Sequence, residues 1–184
     1  VLPGICYYSA AEEKESVEMK GLVVFDSTHG NTRKVAELIS ATLKASGVEA
    51  DAVHSKDIKK LSALEYDFLV VGSPTRFGTM SFGIRRFLLK VKGKEWANKP
   101  FAAFDTENPE NIEGKQDSAA EKIADKLRQK QMKEIVPVLK AAVLGWKGPL
   151  QEGQTERTYQ YARELAAKLK PGSDAEAQKG EETL

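Results

Sequence analysis

The chain has 184 residues, with 28 Lys and Arg against 27 Asp and Glu, two histidines and one cysteine. That length suits one domain with a core of its own; Cys6 alone cannot form an intrachain disulfide, and His29 and His54 without a Cys/His cluster do not make a structural zinc site. No apolar run approaches the ~20 residues that cross a bilayer, and no basic run interleaved with aromatics marks a nucleic-acid module, so neither membrane insertion nor nucleic-acid binding is expected.

The near-neutral total hides an asymmetry. Residues 1–18 and residues 171–184 each carry a net −3, which leaves 19–170 at +7. This charge fits either an ordinary mixed surface or a basic face for an anionic ligand or acidic partner. Val1–Tyr8 is an apolar patch with no basic residue before it, a poor signal peptide, so the cytoplasm is the expected compartment. Met19 directly precedes the first apolar run. Residues 1–18 therefore read as an N-terminal extension, 19–170 as the folded domain, and 171–184 as a polar C-terminal tail.

The first predicted strand is Gly21–Phe25. It runs straight into Asp26-Ser27-Thr28-His29-Gly30-Asn31-Thr32 and then into a helix over Asn31–Ala45, with Val35, Leu38, Ile39 and Thr42 on one face and Gly47 as its stop. A buried strand feeding a hydroxyl-rich loop at a helix start aims backbone N–H groups and the positive end of the helix dipole at one spot. Such a spot binds phosphate without a lysine. No Gly-Lys-Ser/Thr follows, and there is no G-x-G-x-x-G, so neither a Walker loop nor a dinucleotide fingerprint is present. The same residues also read as a plain helix start with Ser27 or Thr28 as N-cap.

The second strand, Val48–Val53, is short and half apolar, as suits a sheet edge, and the third, Asp67–Val71, is a buried central strand. After it comes Gly72-Ser73-Pro74-Thr75-Arg76-Phe77-Gly78, where Gly72 and Gly78 permit close approach to a flat ligand or positive φ, and Phe77 offers a face for stacking. Ile84, Phe87, Leu88 and Val91 mark the next helix. Pro100–Phe104 is the fourth strand, followed by a polar loop, Asp105-Thr106-Glu107-Asn108-Pro109-Glu110-Asn111. A long helix is predicted over Lys115–Lys133, a fifth strand opened by Pro137 over Val138–Leu144, and a last helix over Gln154–Leu169, stopped by Lys170-Pro171-Gly172. Trp96 and Trp146 read as packing residues.

Apolar strands alternating with amphipathic helices predict an α/β fold with a doubly wound parallel sheet. Weak second and fifth strands fit five strands in the order 2-1-3-4-5, for which flavodoxin itself is the standard example. The two most distinctive loops follow strands one and three, which flank the crevice of such a sheet. A receiver domain of this architecture would need an aspartate ending strand three, where this chain has Gly72-Ser73.

The phosphate loop, the Gly72–Gly78 loop and the order of elements resemble the flavodoxin-like FMN proteins over about residues 19–170. The Asp26-Ser27-x-x-Gly30-Asn31-Thr32 pattern is similar to the flavodoxin module of flavodiiron proteins, and Ser73-Pro74-Thr75-Arg76-Phe77-Gly78 to the flavodoxin-like quinone reductases. The resemblance implies that Ser27, Thr28, His29, Gly30, Asn31 and Thr32 hold the phosphate of FMN. By the same carry-over, Ser73, Pro74, Thr75, Arg76, Phe77 and Gly78 line the isoalloxazine ring, and Asp105, Thr106, Glu107 and Asn108 face its pyrimidine edge. Three departures stand out. His29 replaces the usual threonine, the third loop lacks the tyrosine that covers one flavin face in many flavodoxins, and the core is basic where flavodoxins are acidic. The expected function is an FMN-binding electron carrier serving a redox partner protein. The alternatives are an NAD(P)H:quinone oxidoreductase and a flavin-free partner-binding module. No acid/base or nucleophilic residue and no metal site is expected, and the pattern sets no oligomeric state.

Overall fold

The computed structural model describes residues 19–114 and 117–170. The predicted extension, 1–18, and tail, 171–184, lie outside these described residues. Strands β1 (Lys20–Phe25), β2 (Glu49–His54), β3 (Phe68–Pro74), β4 (Pro100–Glu107), β5 (Lys133–Glu134) and β6 (Leu139–Ala142) form one parallel sheet. Its order is β2-β1-β3-β4-β5, with β6 also paired to β4. The helices are α1 (Asn31–Ala45), α2 (Phe82–Leu88), α3 (Pro109–Glu113), α4 (Ala119–Gln129) and α5 (Gln154–Leu169).

Alternation along the strands divides the core between the two faces of the sheet. Val23 and Phe25 of β1, with Val70 and Phe104, pack beneath α1 and α5, where Val35, Ile39, Leu165 and Leu169 are buried. Leu22 and Val24, with Leu69, Val71 and Phe101, pack on the other side against Ile84 and Phe87 of α2 and Ile123 and Leu127 of α4. Trp96 is buried in this second layer, as expected. The order 2-1-3-4-5 puts the C-terminal ends of β1 and β3 side by side, and the loops that leave them form a crevice.

Three expectations need correction. The fifth position of the sheet is split: Lys133–Glu134 pairs with Pro100–Phe101, and Leu139–Ala142 pairs with Phe104–Glu107. Pro137 sits in the break, where its missing N–H interrupts no ladder. The helix predicted over 115–133 is shorter, covering Ala119–Gln129, and Ser118 caps it by accepting from the N–H of Glu121. Finally, β4 runs three residues past Phe104, so Asp105, Thr106 and Glu107 belong to the strand and are buried.

Candidate functional site

Helix α1 begins without a side-chain cap. Its N-cap is Gly30, at φ 88°, and no side chain accepts from its first turn, which also contains no acidic residue. This removes Ser27 and Thr28 as N-caps. Helices α2, α3 and α4, by contrast, are each capped by Ser81, Asn108 or Ser118. A fifteen-residue helix thus presents bare amides and an uncompensated positive dipole to whatever lies before it. The Ser27 hydroxyl accepts from the Gly30 N–H at 3.1 Å, closing the loop on itself. Asp26 anchors its entry, accepting from the Ser81 hydroxyl at 2.6 Å, with His54 Nε2 3.4 Å away.

That loop opens into a cavity of about 460 Å³, within the size range of small-molecule sites. Ser27, Thr28, His29, Asn31 and Thr32 line one end. Pro74 contributes from the end of β3, Thr75, Arg76, Phe77 and Gly78 from the loop after it, Thr106 and Glu107 from the end of β4, and Asn108 from the start of α3. The β3 loop is a tight turn. Arg76 and Thr79 exchange both backbone hydrogen bonds, at 3.0 and 3.1 Å, while Phe77 and Gly78 between them take φ of 50° and 65°. Two successive positive φ values are those of a type I′ turn, which a bulky aromatic adopts only under strain. The result is a Phe77 ring held 96 % exposed on the cavity wall.

A fourth contributor is absent from the sequence-based expectations. The segment after β6 brings Val143, Gly145 and Trp146 to the cavity, and Trp146 is 73 % exposed, so it is not a packing residue. Asn31 holds this segment in place, its amide donating to the Lys147 carbonyl at 2.9 Å. Gly148, at φ 102°, lets the chain pass: a Cβ there would fall 2.4 Å from the Asn31 amide nitrogen. The available signal is a tryptophan inside a Gly-x-x-Gly turn directly after a sheet strand, where the same crevice opens.

A flavodoxin domain model matches residues 22–145. The chain belongs to the flavodoxin domain family. A flavodoxin of Aquifex aeolicus is 38 % identical over 78 residues, which cover 42 % of this chain and 42 % of that protein. A protoporphyrinogen IX dehydrogenase [quinone] of Escherichia coli strain K12 is 31 % identical over 72 residues, covering 39 % of this chain and 40 % of that one. The matched stretch thus spans less than half the length of these curated relatives. A solved flavodoxin from the domain Archaea superposes with a TM-score of 0.67 at 23 % identity, over 82 % of this chain and 98 % of its own. That likeness shows the fold, and the parallel sheet in the order 2-1-3-4-5 is the flavodoxin fold.

FMN is the cofactor of flavodoxin proteins. The residues present fit it: bare α1 amides suit a phosphate, and two exposed aromatics on the same cavity suit a flat ring. Of the residues expected from sequence at this flavodoxin site, Gly30, Ser73 and Asp105 do not line the cavity. Gly30 supplies the turn at which α1 starts. Ser73 is buried, accepting from the Ser81 N–H at 2.9 Å and donating to the Pro74 carbonyl. Gly72 serves the core instead of a ligand, since a Cβ there would lie 1.9 Å from Phe104 Cζ.

Asp105 is a buried strut. Its Oδ2 accepts from the Thr75 hydroxyl and from the Ala120 N–H, both at 2.9 Å, which ties the β3 loop to the start of α4. Burial pushes its carboxyl up to about 6, against the pull of the Ala120 and Thr75 hydrogen bonds. Glu107, two residues on, is among the residues around the cavity, but both of its carboxyl oxygens are closed off from it. It is 3 % exposed, and neither carboxylate oxygen has a hydrogen-bond partner. Burial first, and the neighbouring Asp105 charge second, push Glu107 up to about 7. Between the two ends, the Thr32 and Thr106 hydroxyls share a buried 2.8 Å hydrogen bond.

Proposed function

We propose that this flavodoxin-family chain holds FMN non-covalently in the cavity between α1, the β3 turn and the end of β4, and carries electrons to a redox partner protein. The observation that supports this most is the uncapped, acid-free start of α1 opening into a cavity lined by exposed Phe77 and Trp146. On this reading Ser27, Thr28, His29 and the α1 amides bind the phosphate, with Asn31 and Thr32 fixing the helix start. Phe77, Trp146, Arg76 and Gly78 position the ring, while Thr106 and Glu107 border it from β4 and Asn108 from the start of α3. FMN supplies the electron chemistry; the protein supplies placement, exclusion of water and access. The exposed aromatics leave a surface that a partner can reach.

The test is titration of the FMN-free chain with FMN, riboflavin and FAD. FMN is expected to bind best, because riboflavin has no phosphate and FAD offers a bridging pyrophosphate with fewer free oxygens for the loop donors. Equal affinity for riboflavin and FMN would sink the phosphate assignment. No flavin binding at all would leave the flavin-free module.

A second reading, an NAD(P)H:quinone oxidoreductase, draws on the exposed Phe77–Trp146 face and on the E. coli relative whose name includes a quinone. Steady-state NAD(P)H oxidation with a quinone separates the two. A rate no faster than that of free FMN at equal concentration removes the enzyme.

A further inference from the structure

We infer that the outward face of α2 is the docking surface for an electron-transfer protein whose own docking face is acidic. The inference rests on the electron-carrier reading above and names the partner's chemistry. Helix α2 buries Ile84, Phe87 and Leu88. Phe82, Arg85, Arg86 and Leu89, spaced i, i+3, i+4 and i+7, share its opposite face, since Leu89 continues the helical backbone at φ −70°. The outward stripe of a surface helix is ordinarily polar throughout. Here Phe82 is 70 % exposed and Leu89 is 64 % exposed, with the two exposed arginines between them. The Arg86 guanidinium lies 5.8 Å from the centroid of the Phe82 ring, a cation over an aromatic face. Aromatic side chains and arginine are the types enriched at the centres of protein interfaces.

Charge names the occupant. Between Asp67 and Asp105 the sequence has seven basic residues and a single acid, Glu95. Lys90 and Lys99 turn their ammonium groups onto backbone carbonyls, Lys90 onto Ile58 and Lys99 onto Ala63 and Tyr66. Arg76, Arg85, Arg86, Lys92 and Lys94 are exposed, and among the described residues none of them makes an ion pair. On α4 and α5, by contrast, Arg128 is paired with Asp125 and Glu134, and Arg163 with Glu156. A guanidinium without a carboxylate from its own chain can take one from a partner in a bidentate pair. A second copy of this chain does not fit, because a two-fold pairing through α2 would set Arg85 and Arg86 against themselves.

The stripe adjoins the rim of the cavity. The turn Arg76–Thr79 carries the exposed Phe77, and only buried Met80 and the helix cap Ser81 separate it from Phe82. A partner seated on α2 therefore lies beside the turn that carries Phe77.

Stopped-flow mixing of the FMN-loaded full chain, photoreduced without oxygen, with cytochrome c tests this. The reduced flavin gives one electron to each of two ferric haems and releases its protons to the buffer. Native cytochrome c is basic, and succinylation turns its lysines into carboxylates, which supplies an acidic form of the same acceptor. At low ionic strength, Arg85→Glu with Arg86→Glu is expected to slow reduction of the acidic form about tenfold and to quicken that of the native form, both effects shrinking with added salt. Comparing chains against one acceptor cancels any difference in haem potential between its forms. Reoxidation by dissolved oxygen, an uncharged acceptor, should not change. Arg157→Glu with Lys170→Glu, at α5 on the other face of the sheet, alters net charge equally and should stay within about twofold of the wild type. Should the reversed α2 variant fail to fold, Arg85→Gln with Arg86→Gln takes its place and should slow the acidic form several-fold. Equal effects of the α2 and α5 reversals overturn this inference and leave the proposed function intact. So does no effect of either, the result for a stripe that is empty or covered by an acidic end of this chain. A wild-type dimer in sedimentation that the α2 reversal dissociates also overturns it, by making a second copy the occupant. Failure of the chain to bind FMN removes both.

Discussion

At the α1 end of the cavity the polar groups are donors, supplied largely by backbone, and the start of the helix carries no acid to neutralise them. Behind the β4 end the strand buries two carboxyls, with Asp105 Oδ1 and both Glu107 oxygens lacking partners. The two ends are joined by a single buried hydroxyl pair, Thr32 and Thr106. One end attracts negative charge and the other resists holding it. A phosphate-bearing ligand therefore has one favourable orientation along the cavity, and the protein without ligand carries an electrostatic strain confined to the acid end.

The sharpest way to break this contrast is to remove the acid. Glu107 is displaced from an ordinary 4.5 to about 7 by burial and Asp105, a difference worth roughly 3 kcal/mol. The sign follows from proton linkage. Between those values the folded chain binds more protons than the unfolded one, so unfolding free energy falls as pH rises from about 4.5 through 7 and levels off above. Asp105, raised to about 6, adds to the same slope at lower pH. Glu107→Gln is expected to stabilise the FMN-free protein by roughly 2 kcal/mol at pH 8 and by little at pH 4.5, because its gain is capped by coupling to Asp105. Urea unfolding at the two pH values checks this. An identical pH slope in variant and wild type would show that Glu107 is not strained.

The joint between the two ends should respond in the opposite direction. Thr32→Val keeps shape but deletes one hydroxyl and leaves the Thr106 hydroxyl buried without its partner. A loss of about 1–2 kcal/mol is expected, the usual penalty for an orphaned buried hydroxyl. Thr32→Val with Thr106→Val should recover part of it, since replacing both members removes the orphan. A double variant that is merely the sum of the singles would show that the pair does not couple the ends.

The same contrast separates what is legible in the amino-acid sequence from what is not. The donor end is legible because its signal is local: an apolar strand, a hydroxyl-rich loop and an amphipathic helix, with α1 and α5 starting and stopping where the periodicity and Gly or Pro breaks put them. The acid end is not. Asp105-Thr106-Glu107-Asn108-Pro109 has the composition of a loop, yet it continues β4 because β3 on one side and β6 on the other supply ladder partners for Asp105 and Thr106. Tertiary pairing overrides local preference there. Trp146 escapes a sequence-based assignment for a related reason. Nothing in its own neighbourhood says that Asn31, more than a hundred residues earlier, will hold its loop beside the cavity.

The β3 turn sits between the two ends, and Gly78→Ala tests its strain. The residue is at φ 65°, and a Cβ would sit 3.1 Å from the Asp117 carbonyl oxygen. About 1 kcal/mol of stability should be lost, as for a side chain forced into the left-handed region. Crystals of the variant, or the chemical shifts of Phe77, should show the turn relaxed. A variant as stable as the wild type would mean that Phe77 is not held in place by the turn.

The smallest effect on stability is expected at the residue with the largest optical signal. Trp146 is mostly exposed, so Trp146→Ala should change unfolding free energy by no more than about 0.5 kcal/mol. Its ring nevertheless lines the cavity together with Phe77, and stacking of an aromatic on a flat ring contributes roughly 1 kcal/mol beyond buried area. FMN affinity should therefore fall about fivefold in the variant while its melting temperature without FMN stays put. The two tryptophans give an internal control. Trp96 is buried in the layer under α2 and α4 and does not line the cavity, whereas Trp146 does. The part of the emission that FMN quenches most strongly in the wild type should thus be the part that Trp146→Ala lacks. Quenching of equal depth in wild type and variant would place the flavin away from Trp146 and leave Phe77 as the ring's aromatic neighbour.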